Sequence, residues 1–342
     1  MKKFLVIAVM TIVAAAMCGV SNITAAGATF PMPFYNNIFK TYTNESKILV
    51  TYGGIGSGGG IRSLKDKIVD FGATDAFLNE KKMSDMGSEV LHIPTCLGAV
   101  AIAYNLPGSP KLNLDSETIS DIFLGNITKW NDKKIAELNK GVTLPSQDIT
   151  VVYRSDGSGT THIFSDYLND ADKEWADKMG MGKSLEWKVG IGAKGNPGVA
   201  GTISQTPGAI GYIGLEYAMA QNIPFANVKN KAGNFIVPSI ESVSLSADAE
   251  MPADTRVSLV NTVAKDGYPI TSFTWLIFYK EQNYNGRSLD QAKETLKLLE
   301  WIIGSDAQKN ASKVNFSPLP KKAVETAKKV LKQATYNGKP IL

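Results

Sequence analysis

A chain of 342 residues with 44% apolar and 20% charged residues has the composition of an ordinary globular protein, long enough for two domains. Its net charge of +4 includes two lysines in a segment that we expect to be removed, so a nearly balanced mature chain gives no reason to expect a nucleic-acid or anionic-membrane partner. With 2 cysteines and 2 histidines, we expect neither a disulfide scaffold nor a His/Cys metal site, and we predict no cofactor.

The first residues have the pattern of a secretory signal. Two lysines precede an apolar run over 4–17 that is too short to span a bilayer stably, and three alanines offer a small-residue cleavage site. We therefore expect residues 1–20 to be removed from a secreted protein. Lipidation at Cys18 is the alternative, although bulky Met17 stands where a lipoprotein signal has a small residue.

The mature chain opens with a strand, a turn and a helix. Residues 22–26 read as the strand, and the helix is marked by apolar residues at helical spacing, Phe34, Ile38 and Phe39. Thr29 stands in the turn between them, where a threonine side chain can cap the first backbone N–H groups of a helix. We predict that Thr29 is the N-cap of this helix.

The same order of strand, glycines and helix follows at once. A strand over 47–52 precedes a glycine-rich run over 53–60 and a helix carrying Ile61, Leu64 and Ile68. The run contains a G-x-G-x-x-G match, which is a weak signal alone, and no Walker-type G-K-[ST] follows it, so we do not expect a nucleotide site. Its glycines would let backbone amides approach a small anion closely.

Asp75 lies just past a predicted third strand over 68–73. An ionised carboxylate only accepts hydrogen bonds, so it suits an anion site only if the anion carries a proton. The alternative is an ordinary turn or capping residue.

A strongly apolar stretch over 90–105 predicts a buried strand that leads out of a first domain and into a second. The second domain would extend to about residue 270. Its early part, over 116–138, reads as two short helices around Trp130, which we expect to pack in the core.

Residues 149–168 carry the clearest anion-binding pattern of the chain. A β-branched and aromatic strand over 149–153 breaks into a glycine turn, and an amphipathic helix follows. Ser158, Gly159 and Thr160 would then supply the unpaired N–H groups of a helix N-terminus, where the macrodipole favours an anion. Arg154 adds a planar charged fork suited to two oxygens of a tetrahedral ion. The alternative is an arginine on a surface turn with Ser158 as a simple cap.

The remaining segments complete two domains. In chain order, we predict a solvated face over 173–188, a glycine loop over 190–198, a strand over 208–213, an irregular region with a surface hairpin over 226–262, a returning apolar strand over 269–279, and amphipathic helices over 292–303 and 323–334. The last two helices would complete the first domain.

Several of these segments together resemble the periplasmic phosphate-binding proteins of high-affinity phosphate ABC transporters. The similar motifs cover nearly the whole mature chain and occur in the family's order. They are 26–31 (AGATFP), 54–57 (GIGS), 69–75 (VDFGATD), 121–130 (DIFLGNITKW), 154–160 (RSDGSGT), 195–198 (GNPG), 207–212 (PGAIGY) and 269–272 (PITS).

The resemblance implies a two-domain α/β periplasmic binding protein fold of type II-like form, each domain a mixed sheet flanked by helices, with a two-strand hinge. Domain I would comprise 21–103 and 278–342, and domain II would comprise 104–277. A monomer would bind inorganic phosphate in the cleft and deliver it to the membrane permease subunits of an ABC transporter. The resemblance further implies no enzymatic activity and a periplasmic location, or, with Cys18 lipidated, an anchor outside the membrane.

The resemblance also implies the ligand contacts. Carried over position by position, they are Thr29, Phe30, Ser57, Asp75, Arg154, Ser158, Gly159 and Thr160. Thr29 and Phe30 would donate backbone amides, and Asp156 would hold the Arg154 guanidinium. Gly58 stands where such proteins often have a second serine, so no side-chain contact is expected there, and Thr74 in place of serine is a milder change.

Two other functions stay open. Ser158, His162 and Asp156 could form the nucleophilic triad of a secreted hydrolase, but Ser158 lacks the G-x-S-x-G elbow because Asp156 and Thr160 occupy the two glycine positions. The site could also take another oxyanion, such as sulfate or molybdate. Asp75 argues against sulfate, because sulfate near neutral pH carries no proton to offer its carboxylate.

Overall fold

The computed structural model describes residues 20–247 and 250–342. The predicted signal segment up to residue 19, with the question of lipidation at Cys18, lies outside the described residues. Among the residues that are described, no helix combines the length and apolar character needed to cross a bilayer.

The described chain alternates strands and helices. The strands are β1 Asn22–Gly27, β2 Leu49–Gly54, β3 Phe71–Thr74, β4 Val90–Tyr104, β5 Asn113–Leu114, β6 Thr150–Arg154, β7 Ile191–Ala193, β8 Ala209–Gly214, β9 Asn227–Lys229, β10 Phe235–Ile236, β11 Thr271–Tyr279, β12 Thr335–Tyr336 and β13 Lys339–Pro340. The helices are α1 Met32–Ser46, α2 Ser57–Lys65, α3 Glu80–Ser84, α4 Ser116–Leu124, α5 Lys133–Leu138, α6 Gly159–Ala171, α7 Lys173–Lys178, α8 Gly195–Gln205, α9 Leu215–Ala220, α10 Ile240–Ser246, α11 Leu289–Ile302, α12 Ser305–Gln308 and α13 Lys321–Leu331.

Within the described residues, an 8-stranded sheet has the order β2-β1-β3-β11-β4-β8-β6-β7. Strands β1, β2 and β3 are parallel, as are β6, β7 and β8, and two antiparallel strands, β4 and β11, lie between these groups. We call the half with β1 to β3 and β11 the first lobe, and the half with β6 to β8 the second lobe, each with its helices. The carboxyl ends of parallel strands share one edge of a sheet, where open α/β sheets place their ligands.

Strand β4 joins the lobes. Its residues from Val90 to Ala99 pair with β11, and those from Val100 to Tyr104 pair with β8. Every residue of β4 is buried, as expected for an apolar strand in the middle of a covered sheet. Because β11 pairs with β4 and β3 along its length, the whole of β11 belongs to the first lobe.

The predicted domain boundaries at 103/104 and 277/278 stay predictions. The point at which β4 changes its pairing partner lies between Ala99 and Val100, and the returning chain enters the first lobe at Thr271. We propose that the chain crosses between the domains at these two places.

Aromatic packing fixes the second lobe around β8. The rings of Phe164 and Tyr212 are stacked with centroids 4.4 Å apart, and Phe123 packs on Phe164 at 4.8 Å. All three side chains are buried, and burial of each phenylalanine stabilises the fold by about 1.5–3 kcal/mol. Trp130 is fully buried, which confirms its predicted place in the core.

Two local predictions outside the candidate site are wrong. Ile68 does not lie on the second helix, because α2 ends at Lys65 and Lys67 adopts a positive φ of 57°, which leaves Ile68 68% exposed. The region over 226–262 contains the predicted hairpin of β9 and β10 but also α10. That helix is rich in serine, a poor helix former, and begins with a capping box between Ser239 and Ser242.

Candidate functional site

The turns at the carboxyl ends of the strands meet where the two lobes face each other. The backbone N–H of Gly58, at the start of α2, donates to the carbonyl oxygen of Gly157, in the turn after β6, over 2.8 Å. A side chain at Gly58 would begin only 3.2 Å from the Gly157 Cα. The glycine that replaces an expected serine here therefore lets the two backbones touch.

The eight residues predicted to contact the ligand are all buried. The structure brings seven of them into one region between the lobes: Thr29, Ser57, Asp75, Arg154, Ser158, Gly159 and Thr160. The Phe30 ring instead packs edge-to-face on Phe316 in the first-lobe core, with centroids 5.5 Å apart. Ligand contact by any of the eight, including the backbone amide of Phe30, stays a prediction.

Arg154 is held in a two-pronged ion pair. Its Nε and Nη2 donate to the two Asp156 carboxylate oxygens over 2.7 and 2.6 Å, as predicted. Burial disfavours the Asp156 carboxylate, but its hydrogen bonds from Arg154 and from the Gly195 backbone N–H outweigh burial and lower its pKa. The guanidinium therefore keeps one position, and its Nη1 donates to the Thr160 hydroxyl over 3.2 Å.

Thr29 does not cap α1. Pro31 occupies the N-cap position and no side chain caps the helix. The Thr29 Oγ1 instead accepts hydrogen bonds from the backbone and side-chain nitrogens of Asn196, over 3.0 and 3.1 Å, and the Thr29 carbonyl accepts from the Tyr217 hydroxyl over 2.5 Å. The predicted N-cap role of Thr29 is wrong because its hydroxyl and carbonyl oxygens accept hydrogen bonds from residues of the second lobe instead.

Asp75 is an acceptor between the lobes. Its Oδ1 accepts from the Thr274 hydroxyl over 2.8 Å, whereas Oδ2 has the Ser57 hydroxyl at a long 3.5 Å. Burial raises the pKa of Asp75 to about 7, against the opposing effects of Thr274, Arg154 and Ser57. Oδ2 can accept a stronger hydrogen bond than the one it has.

Ser158 lies at the start of α6, as predicted, and is its N-cap. The prediction that its backbone N–H is unpaired is wrong, because this N–H donates to the Lys183 carbonyl oxygen over 2.8 Å. The Ser158 hydroxyl oxygen accepts from the Thr161 backbone N–H over 2.9 Å. Among the described residues, no hydrogen bond joins the side chains of Ser158 and His162, and the Asp156 carboxylate is engaged by Arg154. The three residues therefore do not form the hydrogen-bonded chain that a nucleophilic triad needs.

Four residues of this region are not among those predicted from the sequence: Asn196, Tyr217, Lys183 and Thr274. The 195–198 and 269–272 motifs point to the neighbourhoods of Asn196 and Thr274, but nothing local marks either side chain as part of the site. The backbone carbonyl oxygen of Lys183 accepts a hydrogen bond from the Ser158 backbone N–H over 2.8 Å. Burial of the Lys183 side chain, and then the nearby charge of Lys82, lowers the pKa of the Lys183 ammonium to about 7.

Glu216 is a second buried acid on the second lobe. It is 3% exposed, and neither carboxylate oxygen has a hydrogen-bond partner in the described part of the chain. Burial raises its pKa well above the ordinary value. The folded protein then binds a proton that the unfolded chain releases, so this contribution to stability is complete below the unfolded pKa and is lost as the pH rises.

Glu216→Gln, which imitates the protonated acid, should therefore raise the free energy of unfolding at pH 8 by about 1–4 kcal/mol and change it little at pH 4. Urea unfolding at the two pH values measures the difference. Exposed Glu241 offers the control, because Glu241→Gln should leave stability within about 0.5 kcal/mol at either pH. An equal effect of Glu216→Gln at both pH values would contradict the expected titration.

Comparison with known proteins gives consistent matches. Residues 13–307 match the family model of the PBP superfamily domain. The chain is 34% identical over 329 residues to the phosphate-binding protein PstS of Pasteurella multocida, covering 95% of this chain and 94% of the relative. It is 35% identical over 306 residues to PstS of Methanocaldococcus jannaschii, covering 82% and 78% of the two chains.

Solved structures agree on the fold. The high-affinity periplasmic phosphate-binding protein PfluDING, solved with bound phosphate, superposes with a TM-score of 0.71 at 23% identity, over 90% of this chain and 92% of that chain. The phosphate-binding protein of Stenotrophomonas maltophilia gives 0.70 at 20% identity, over 91% and 94%. These likenesses confirm the predicted two-domain α/β binding-protein fold.

Proposed function

The chain belongs to the PBP superfamily and, within it, to the PstS phosphate-binding proteins, and on that basis we propose that it captures inorganic phosphate for import by an ABC transporter. One observation gives this proposal its main chemical support. The buried carboxylate of Asp75 keeps an oxygen with only one long hydrogen bond beside N–H and O–H donors from both lobes, whereas the nearby Asp156 carboxylate is engaged by Arg154.

The donors suit a tetrahedral anion. The N-terminus of α6 presents the backbone N–H groups of Gly159 and Thr160, which lie in the first helical turn and have no partner within the helix. The Arg154 guanidinium and the hydroxyls of Ser158 and Thr160 lie beside that helix start. Because Asp156 balances the charge of Arg154, hydrogen bonds rather than net charge would hold the ion.

Asp75 supplies the selectivity. Phosphate near neutral pH keeps at least one proton, which can donate to Oδ2. Sulfate would place lone pairs against lone pairs in a closed site, which costs several kcal/mol when the charges are buried. The same proton would relieve the unfavourable burial of the ionised Asp75, so phosphate favours the closed arrangement.

Delivery to permease subunits follows from this closure. Thr29, Ser57 and Asp75 belong to the first lobe and Arg154 to Thr160 to the second, so phosphate meets both sets only when the lobes are together. A permease that recognises the closed monomer would therefore receive loaded protein. The engagement of Ser158 and Asp156 in structural hydrogen bonds supports a binding role without hydrolysis.

Titration calorimetry of the mature protein with phosphate and with sulfate tests the proposal. We expect micromolar or tighter phosphate binding, sulfate binding at least about 100-fold weaker, and a smaller radius of gyration in X-ray scattering with phosphate. A chromogenic phosphate ester should not be hydrolysed. Equal affinities for the two anions, or hydrolysis lost in Ser158→Ala, would refute this function.

A further inference from the structure

Asn196 connects the two lobes through a fully buried carboxamide. It is the second residue of α8, and its Nδ2 donates to the hydroxyl oxygens of Thr29 in the first lobe and Thr160 in the second, over 3.1 and 3.0 Å. Its backbone N–H also donates to the Thr29 hydroxyl oxygen, over 3.0 Å. One residue thus contacts a predicted ligand residue of each lobe.

The orientation of this carboxamide is fixed by a neighbour that can only donate. The backbone N–H of Gly214 lies 2.9 Å from Asn196 Oδ1. Since an N–H group needs an acceptor, the oxygen of the carboxamide must face Gly214 and the NH₂ group must face the two hydroxyls. Asn196 therefore reaches Thr29 and Thr160 only as a donor.

Two donors at each hydroxyl determine where its proton points. A hydroxyl has one proton and two acceptor lone pairs. Both lone pairs of Thr29 Oγ1 are taken by Asn196, and those of Thr160 Oγ1 are taken by Asn196 and by Arg154 Nη1 at 3.2 Å. Each hydroxyl proton must then be donated to a further acceptor.

We propose that Asn196 is a positioning residue that makes the hydroxyls of Thr29 and Thr160 donors to the bound anion. This inference rests on the proposed phosphate binding and adds to it a residue that touches no ligand atom itself. Because Asn196 and Thr29 belong to different lobes, the Thr29 donor is oriented only when the lobes are closed. Binding and closure are then coupled through this one side chain.

Two substitutions separate orientation from packing. Asn196→Ala removes the donor, and we expect phosphate affinity to fall about 10- to 100-fold. Asn196→Asp keeps the volume but offers a carboxylate, which accepts both hydroxyl protons and turns lone pairs toward the anion. Relative to wild type at the same pH, its loss of affinity at pH 8 should exceed that of Asn196→Ala by about tenfold or more. Part of this loss should be recovered near pH 5, where a protonated carboxyl donates; the comparison at equal pH removes the effect of Asp75, which also gains a proton over this range.

A double-mutant cycle with Thr160→Val excludes a simple charge effect, because the charge of the new carboxylate persists when the hydroxyl is gone. In the Thr160→Val background, Asn196→Ala and Asn196→Asp should each cost at least about threefold less than in the wild-type background. If each Asn196 substitution lowered phosphate affinity by the same factor in both backgrounds, the proposal would be overturned. Equal affinities of Asn196→Ala and Asn196→Asp at every pH would also overturn it.

Asn230 provides the matched control. It is a buried asparagine whose Nδ2 donates to the carbonyls of Lys265 and Gly267, over 2.8 and 3.1 Å. Asn230→Ala should lower the melting temperature but keep phosphate affinity within about twofold; a loss of affinity as large as that of Asn196→Ala would overturn the proposal.

The outcomes separate the two proposals. If wild-type protein fails to bind phosphate, the proposed function fails. If it binds phosphate and the double-mutant cycle shows no coupling, only the role of Asn196 fails. Should Asn196→Ala not fold, the isosteric Asn196→Asp carries the cycle alone.

Discussion

Gly159→Ala is expected to weaken phosphate binding by about 100-fold or more while leaving the protein folded. A methyl group added at Gly159 would overlap Asp75 Oδ2 and Ser57 Oγ, which belong to the opposite lobe. Neither partner can withdraw easily, because Thr274 holds the Asp75 carboxylate and the Asp75 backbone N–H donates to Ser57 Oγ. Forcing such an overlap in a packed contact costs about 3 kcal/mol, and the lobes would remain apart instead.

The backbone itself accepts this substitution. Gly159 is the first residue of α6, and alanine is the better helix former, so the second lobe should be as stable as before. Calorimetry measures the affinity, and X-ray scattering should show no compaction with phosphate. The effect is thus a loss of closure without a loss of fold.

Gly201→Ala is the matched control within the same lobe. Gly201 lies inside α8, and an added methyl group there would meet nothing within 4 Å. We expect unchanged phosphate affinity and a gain in stability of about 0.5–1 kcal/mol. If Gly159→Ala bound phosphate within tenfold of the wild-type affinity, the close contact of the lobes at Gly159 would not be the binding arrangement.

The predictable parts of the site are those that depend on neighbours in sequence. Ser158 can be placed at a helix start because a strand, a glycine turn and an amphipathic helix follow one another within about twenty residues. The pairing of Arg154 with Asp156 likewise joins residues that are two positions apart. Local chemistry is sufficient to place Ser158, whereas the pairing of Arg154 with Asp156 is predicted from the resemblance to the phosphate-binding proteins.

The rest depends on contacts between distant segments. Thr29 reads as a helix cap from its neighbours, yet its hydroxyl bonds to Asn196, which is 167 positions away. Thr274 reads as one more residue of an apolar strand, and only the pairing of β11 beside β3 brings it to Asp75. No periodicity or local motif encodes which strand lies next to which, so these partners require the fold.

Asp75→Asn is expected to remove most of the preference for phosphate over sulfate. At pH 8 the ratio of the two affinities should fall by about tenfold or more. The amide can donate to an unprotonated oxygen, so sulfate would no longer face a second set of lone pairs. Competitive calorimetry with the two anions gives the preference directly. Asp166→Asn is the control, because Asp166 lines the same small cavity as Asp75 but bonds to Ser258, and its loss should leave the preference within about twofold.

The pH dependence of wild-type protein tests the same carboxyl without a mutation. Burial raises the pKa of Asp75 to about 7, so the group is ionised above that pH and gains a proton as the pH falls through it. A protonated Asp75 can donate to sulfate, so discrimination against sulfate should decline between pH 8 and pH 6. In Asp75→Asn the preference should be weak at both pH values, since no proton is gained there. A wild-type preference that grows toward pH 6, or a pH dependence that survives in Asp75→Asn, would show that another group decides between the two anions.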